Sequence, residues 1–196
     1  MAFTSVPTYV TNQLITAAHA NTYWRDNLNE LFPHTAIGDF AYADTTSSLA
    51  ALALGNTGHV LRSNGTKPVW DAIERTYPVR VVPIGVPVTV GDDAYHIFIP
   101  SDLNGCNLVD ADACVDEKST SGAVTVQIRN ATKAVDMLST PITIDKGENT
   151  SYTAAVAPVI NTNNDGVGTG NKIAIDVDGA GTNAKGLVVI LRFELP

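Results

Sequence analysis

From Tyr95 to the end of the chain, apolar residues recur at every second position in run after run, and short turn signals separate the runs. A period of two sends alternate side chains to opposite faces of a strand, so each run requires a sheet with one face buried and one wet. Tyr95, Ile97 and Ile99 face one way and His96 and Phe98 the other; Val109, Ala111, Ala113 and Val115 oppose Asp110, Asp112, Cys114 and Asp116. Val124, Val126 and Ile128 oppose Thr125, Gln127 and Arg129, while Ile173, Ile175 and Val177 oppose Lys172, Asp176 and Asp178. Shorter runs are read at Val86–Val90, at Ile142 and Ile144, and at Tyr152–Val156. Leu187 to Phe193 is almost continuously apolar, which suits the middle of a sheet or a subunit interface. Turns are expected at Gly91-Asp92, Asn104-Gly105, Ser121-Gly122, Lys146-Gly147, Asp165-Gly166 and Gly179-Ala180-Gly181. About eight strands so punctuated predict an antiparallel β-sandwich, with a jelly roll as the best single topology.

Composition agrees with a β fold and excludes several functions. Apolar residues make up 44% of the 196, enough for a core, and only 16% are charged, with 15 glycines and 10 prolines. A helical bundle carries more Glu, Lys and Leu than this. The net charge of −8 is spread over both halves: residues 1–75 hold four basic and six acidic residues, and residues 76–196 hold eight and fourteen. Neither half offers a basic stripe for a phosphate backbone, which argues against nucleic-acid binding. No apolar run reaches the roughly 18 residues that cross a bilayer, and Met1-Ala2-Phe3-Thr4 begins no signal peptide, so the chain is expected to stay in the cytosol of the cell that makes it. Cys106 and Cys114 lie eight apart in one extended segment. Eight strand residues span about 26 Å, too far for a disulfide, which predicts two free thiols and no zinc site.

Residues 1–14 read as extended. Thr16 then caps a helix that Pro33 ends, and Leu14, Ala17, Tyr23, Trp24, Leu28, Leu31 and Phe32 recur at spacings of three and four. Arg25, Asp26, Asn29 and Glu30 lie on the opposite face. A helix of about sixteen residues is marginal alone in water, so its stripe must pack on something. It either packs on its own β domain or docks against other subunits, and the second reading is favoured.

Between residues 37 and 70 no period is sustained. Ile37, Phe40, Tyr42, Leu49, Leu52, Leu54, Val60, Leu61 and Trp70 are spaced by small and polar residues, with a turn expected at Asn64-Gly65. Ile37-Gly38-Asp39-Phe40-Ala41-Tyr42-Ala43, then Ser48-Leu49-Ala50-Ala51-Leu52-Ala53-Leu54-Gly55-Asn56-Thr57-Gly58-His59-Val60-Leu61, then Pro68-Val69-Trp70, resembles a segment common in tail-fibre and other virion proteins of tailed bacteriophages. The helix run Ala20-Asn21-Thr22-Tyr23-Trp24-Arg25-Asp26-Asn27-Leu28-Asn29 resembles one near the start of such proteins. The resemblance covers roughly residues 14–72. It implies a virion structural protein, often trimeric, with its N-terminal portion anchored to the particle.

Catalytic patterns are weak. His19, His34, His59 and His96 are scattered, and no Gly-x-Ser-x-Gly elbow accompanies them. Asp110, Asp112, Asp116, Asp176 and Asp178 alternate along strands, which reads as a solvated face ahead of a Ca²⁺ site. The loop from Asn161 to Gly170 lacks the lysine of a phosphate loop and the final glutamate of a calcium hand. It reads as an exposed loop in which Asn161, Asn163, Asn164 and Asp165 could meet a host glycan or a neighbouring subunit.

The expectation is therefore a non-enzymatic protein without metal or cofactor. Residues 1–36 would be an anchoring segment, 37–75 an extended fibre-like arm and 76–196 a β-sandwich. Leu14, Trp24, Leu28, Leu31 and Phe32 would dock the helix, and Phe40, Tyr42, Leu52, Leu54 and Trp70 the arm. Analogy with head fibres, decoration proteins and tail fibres favours a homotrimer on a virion, bound to major capsid or tail proteins. A glycan-binding tail-fibre module is the alternative. It is weakened because Tyr77, Tyr95, Phe98, Tyr152 and Phe193 are the β domain's only aromatics.

Overall fold

The computed structural model describes residues 7–46 and 48–196, Glu30 through its backbone alone. The extended reading of Met1 to Val6 and the placing of the Glu30 side chain lie outside the described residues. The chain is mainly β and forms two compact units, Met1–Ala72 and Ile73–Pro196. No helix among the described residues is long and apolar enough to cross a membrane.

The first unit holds the helix and two hairpins. Helix α1 (Ala17–Ala20) passes through one π turn (Asn21–Arg25) into α2 (Asp26–Leu31). Strand β1 (Phe40–Ala43) pairs antiparallel with β2 (Leu49–Leu52), and β3 (His59–Ser63) with β4 (Pro68–Ala72). The stretch expected to be an extended arm is thus folded back on itself twice. Its strands are four or five residues long, too short for a period of two to stand out from the sequence.

The second unit is built from β5 (Arg75–Pro87), β6 (Gly91–Phe98), β7 (Asn107–Glu117), β8 (Ser121–Asn130), β9 (Val135–Asp136), β10 (Leu138–Thr140), β11 (Ile142–Ile144), β12 (Val159–Ile160), β13 (Lys172–Thr182) and β14 (Lys185–Glu194). One sheet has the order β5-β14-β7 and the other β11-β8-β13-β6, with β9 beside β8, and β10 pairs with β12. All pairings are antiparallel. Strand β5 pairs with β14, β6 with β13 and β8 with β11, the nested pairing of a long hairpin rolled into two sheets, which is the jelly-roll order. In the eighth position, beside β7, irregular backbone does the pairing. The Val115 N–H donates to the Asn149 carbonyl at 2.8 Å, and the Leu108 N–H to the Asp165 carbonyl at 2.9 Å.

The two inner faces share one core. Leu108, Ala113, Leu187, Val189, Leu191 and Phe193 of one sheet bury with Val126, Ile128, Ile142, Ile173, Ile175 and Val177 of the other. The central apolar strand expected at Leu187–Phe193 is β14, flanked on both sides.

Several details differ from expectation: the turns expected at Gly91-Asp92 and Ser121-Gly122 are the first residues of β6 and β8, and the others have local reasons. In sequence, residues 72–82 read as a hinge-like passage through Tyr77 and Pro78, but from Arg75 on they belong to β5, and no separate strand forms at Val86–Val90. Pro78 is tolerated there because β5 lies at a sheet edge and pairs with β14 alone. Val109 is exposed and Leu108 fills the core, because the pairing of β7 with β14 slips between Arg192 and Phe193 and leaves Val109 as the bulged residue. Gly179-Ala180-Gly181 makes no turn but carries β13 through two register shifts. A side chain at Gly181, where φ is +61°, would collide with Ser119. Tyr152–Val156 forms no strand; a 3-10 turn at Ser151–Thr153 replaces it, and the Ser151 hydroxyl accepts the Ala113 N–H at 3.0 Å.

Candidate assembly surface

The Thr16 hydroxyl accepts the His19 N–H at 3.2 Å and so caps the helix as expected. Phe32 leaves the helix at φ −123°, ψ 71°, just before Pro33. The inward side of this helix is polar and aromatic. Rings of Tyr9 and His19 lie 6.1 Å apart, and those of His19 and Tyr23 5.9 Å apart. Asn27 is 5% exposed and donates its amide to the Tyr23 carbonyl at 3.0 Å. The Tyr9 hydroxyl and His19 Nδ1 are enclosed and have no hydrogen-bond partner among the described residues.

The outward side is apolar. Trp24 is 50% exposed, Leu28 54% and Phe32 68%, with Leu14 and Leu31 exposed as well. The apolar stripe thus lies in solvent beside Arg25 and Asn29 and does not form the buried side of the helix. These five side chains offer on the order of 500 Å² of apolar surface, against about 800 Å² that each partner contributes to a standard protein interface.

The hairpins account for most of the apolar residues between positions 37 and 70. At Gly38 φ is +93°, a turn geometry that favours glycine. The Asp39 carboxylate accepts the Thr35 N–H at 2.8 Å, the Ala36 N–H at 2.9 Å and the Thr35 hydroxyl at 3.0 Å. The Thr35 N–H foremost, then that of Ala36, holds this carboxyl below the usual range. Phe40 stands opposite Leu52, and Tyr42 opposite Ala50, on one face of the first hairpin. In the second, Leu61 stands opposite Trp70. The Trp70 indole meets Phe40 edge-to-face at 5.7 Å and donates to the Ala53 carbonyl at 2.7 Å. The Trp70 ring lies so close over Gly55 that a side-chain carbon there would sit 2.5 Å from Cδ2. The turn after β3 is tied by Asn64, whose Oδ1 accepts the N–H groups of Thr66 and Lys67 at 3.0 and 2.9 Å.

The ten residues expected to dock therefore fall into two groups. Leu14, Trp24, Leu28, Leu31 and Phe32 stay open to solvent. Tyr42, Leu52 and Trp70 are half-buried and, with the more exposed Phe40, pack the hairpins, while Leu54 stays exposed beside Gly38. Sequence reasoning passed over Tyr9 and Asn27, took His19 only as one of four scattered histidines, and set Tyr23 in the apolar stripe, whereas Tyr23 is half-buried beside His19 on the inward side. The spacing of four from His19 to Tyr23 to Asn27 was the available signal.

In the second unit, the loop after β12 is held from within. The Asn161 and Asn164 amides both donate to the Asp136 carbonyl, at 3.4 and 3.2 Å, and the Asp165 carbonyl is bonded to β7. Asn163 remains exposed. Four of the five strand aspartates are ion-paired, Asp116 with Arg80 at 2.8 Å among them, and Asp178 is exposed. Asp176 is buried against Arg129 at 2.9 Å, and Arg192 bridges Asp110 and Asp112, with 3.2 Å to the latter. Asp112 and Asp176 are buried, so the alternating acids are only partly a solvated face. Burial pushes the Asp112 carboxyl up, although the Ser151 hydroxyl donates to it. Cys106 is buried and Cys114 half-buried, both as free thiols, and burial, with the Asp112 charge next, raises the Cys114 pKa. Among the described residues no group of three or more His, Cys, Asp or Glu is placed to hold a metal ion.

No family model, no curated protein and no solved structure matches this chain.

Proposed function

We propose that this chain is a non-enzymatic structural protein of a tailed phage particle. In this reading it is a surface fibre or decoration protein, gathered as a homotrimer and held to major capsid or tail proteins through its N-terminal unit. The jelly-roll unit is displayed outward. The observation that supports this most is the exposed apolar stripe of the helix, where Trp24, Leu28 and Phe32 face solvent while Asn27 is buried. Covering about 100 Å² on each of these side chains contributes about 2.5 kcal/mol at about 25 cal/mol per Å². That is enough, over five of them and several copies, to hold an assembly together. Localisation on the virion, after synthesis in the bacterial cytoplasm, follows from the same reading.

The test is incorporation. A tagged full-length chain supplied during infection should co-purify with particles, and the double variant Trp24→Asp, Leu28→Asp should not, while its circular dichroism stays that of the parent. Equal incorporation of both would refute the anchor.

A further inference from the structure

The jelly-roll unit has four lateral sheet edges, and three of them are closed. Strand β5 carries Pro78, Pro83 and Pro87, none of which can donate to an added strand. Strand β7 is bonded along its outer side to residues 149 and 165. Strand β11 is three residues long. Strand β6 is different. It pairs with β13 on one side, and among the described residues no strand pairs with the other. From Ala94 to Phe98 it contains neither proline nor lysine, the residues that commonly guard an edge.

The ladder itself points outward there. The Ile99 N–H donates to the Asn171 carbonyl at 2.9 Å, and alternation along an antiparallel strand then turns the N–H and C=O of His96 and Phe98 to the open side. Phe98 is 61% exposed and Tyr95 is exposed too. The His96 and Phe98 rings meet edge-to-face at 5.5 Å, forming an aromatic ledge beside the unpaired backbone.

We propose that β6 is a self-pairing edge: β6 of a second copy adds to it antiparallel, about a two-fold axis at His96, and joins two sheets into one. The occupant follows from the strand's complementarity to itself. With His96 opposite its own copy, Phe98 lies across from Ala94 and Tyr95 across from Ile97, each pair occurring twice. A large ring meets a methyl group, and an aromatic meets a β-branched chain. Regular alternation stops at Asp93, where φ is +52° and the register with β13 shifts, so the added ladder runs from Ala94 to Phe98 and no acidic residue lies within it. The neighbouring registers are worse. One leaves Phe98 opposite the bulge, without a ladder partner, and the other sets Ala94 against Pro100, which has no N–H.

This contact is separate from the N-terminal unit and does not rest on the anchor reading. Where that unit gathers three copies, a two-fold at β6 links one trimer to the next, as a protein covering a shell requires.

The full-length His96→Cys variant tests the register. Opposed residues of a bonded antiparallel pair have Cα atoms about 5.5 Å apart, within disulfide reach. Mild oxidation should give a covalent dimer from His96→Cys and none from the parent or from Asp92→Cys. Sedimentation should show the parent growing beyond its smallest assembly as concentration rises. Phe98→Lys should move that midpoint roughly tenfold higher, with an unchanged circular dichroism spectrum. An uncross-linked His96→Cys, or a Phe98→Lys variant that associates like the parent, overturns the proposal. Trp24→Asp should leave the cross-link intact, which separates this contact from the anchor.

Discussion

Replacing Gly55 by alanine tests the tightest packing of the first unit. The added carbon would lie 2.5 Å from Trp70 Cδ2 and 2.8 Å from Trp70 Cβ, closer than real Cβ atoms come to a neighbour. The indole must move, and in moving it loses its edge contact with Phe40 and its bond to the Ala53 carbonyl. Overpacking costs about 1–3 kcal/mol, and the lost hydrogen bond about 1 more. A total of about 2–4 kcal/mol in a unit of this size lowers its melting temperature by about 10–20 °C. The assay is clean because Trp24 and Trp70 are the chain's two tryptophans and both lie in the first unit. Indole fluorescence therefore follows that unit, and β-sheet circular dichroism is dominated by the other. Gly55→Ala should lower the fluorescence transition and leave the main dichroism transition in place. A fluorescence midpoint equal to the parent's would refute the packing argument.

In the second unit, Arg129→Ala strands the buried Asp176 carboxylate and should cost about 2–3 kcal/mol in denaturant unfolding, reduced from the full buried-pair value because Arg129 is partly exposed. Removing Asp176 as well should recover part of that loss, and strictly additive effects would show that the pair is not coupled. The first unit should lose stability in acid. Asp39 has its folded pKa lowered, so its contribution is complete above the unfolded value of about 4 and disappears as pH falls through the folded one. Fluorescence-detected unfolding between pH 6 and 3 should therefore slope more steeply for the parent than for Asp39→Asn, and parallel slopes would contradict the three-bond cradle.

Much of the sandwich is legible in the sequence because long strands with one buried face announce their period. The inward sets of β8 and β13, Val124 to Ile128 and Ile173 to Val177, are buried as alternation predicts. What escapes is where the alternation slips. A single bulge moves the core from Val109 to Leu108, and no local propensity marks it. Pro78 reads as a break until its edge position is known, and Gly179 and Gly181 read as a turn until Thr125 and Ser119 are found beside them.

The helix shows the same division. Its cap, its end and its apolar stripe are local, and all three are visible. Which side faces inward is not, because that depends on Tyr9, and because the π turn at Asn21–Arg25 shifts the phase of the residues after it. The hairpins stayed hidden for a further reason. They are held by the contacts of Trp70 with Phe40 and Ala53, seventeen or more residues away in sequence.

The central claim is that the exposed helix face is an assembly surface. Sedimentation equilibrium of the full-length chain, beside the Trp24→Asp, Leu28→Asp variant, addresses it most directly. The account predicts three times the 20.7 kDa chain mass, or a multiple of that, for the parent. The variant should fall below the trimer mass with an unchanged dichroism spectrum. A parent that sediments as a single chain at every concentration, or a variant that assembles as the parent does, would contradict it.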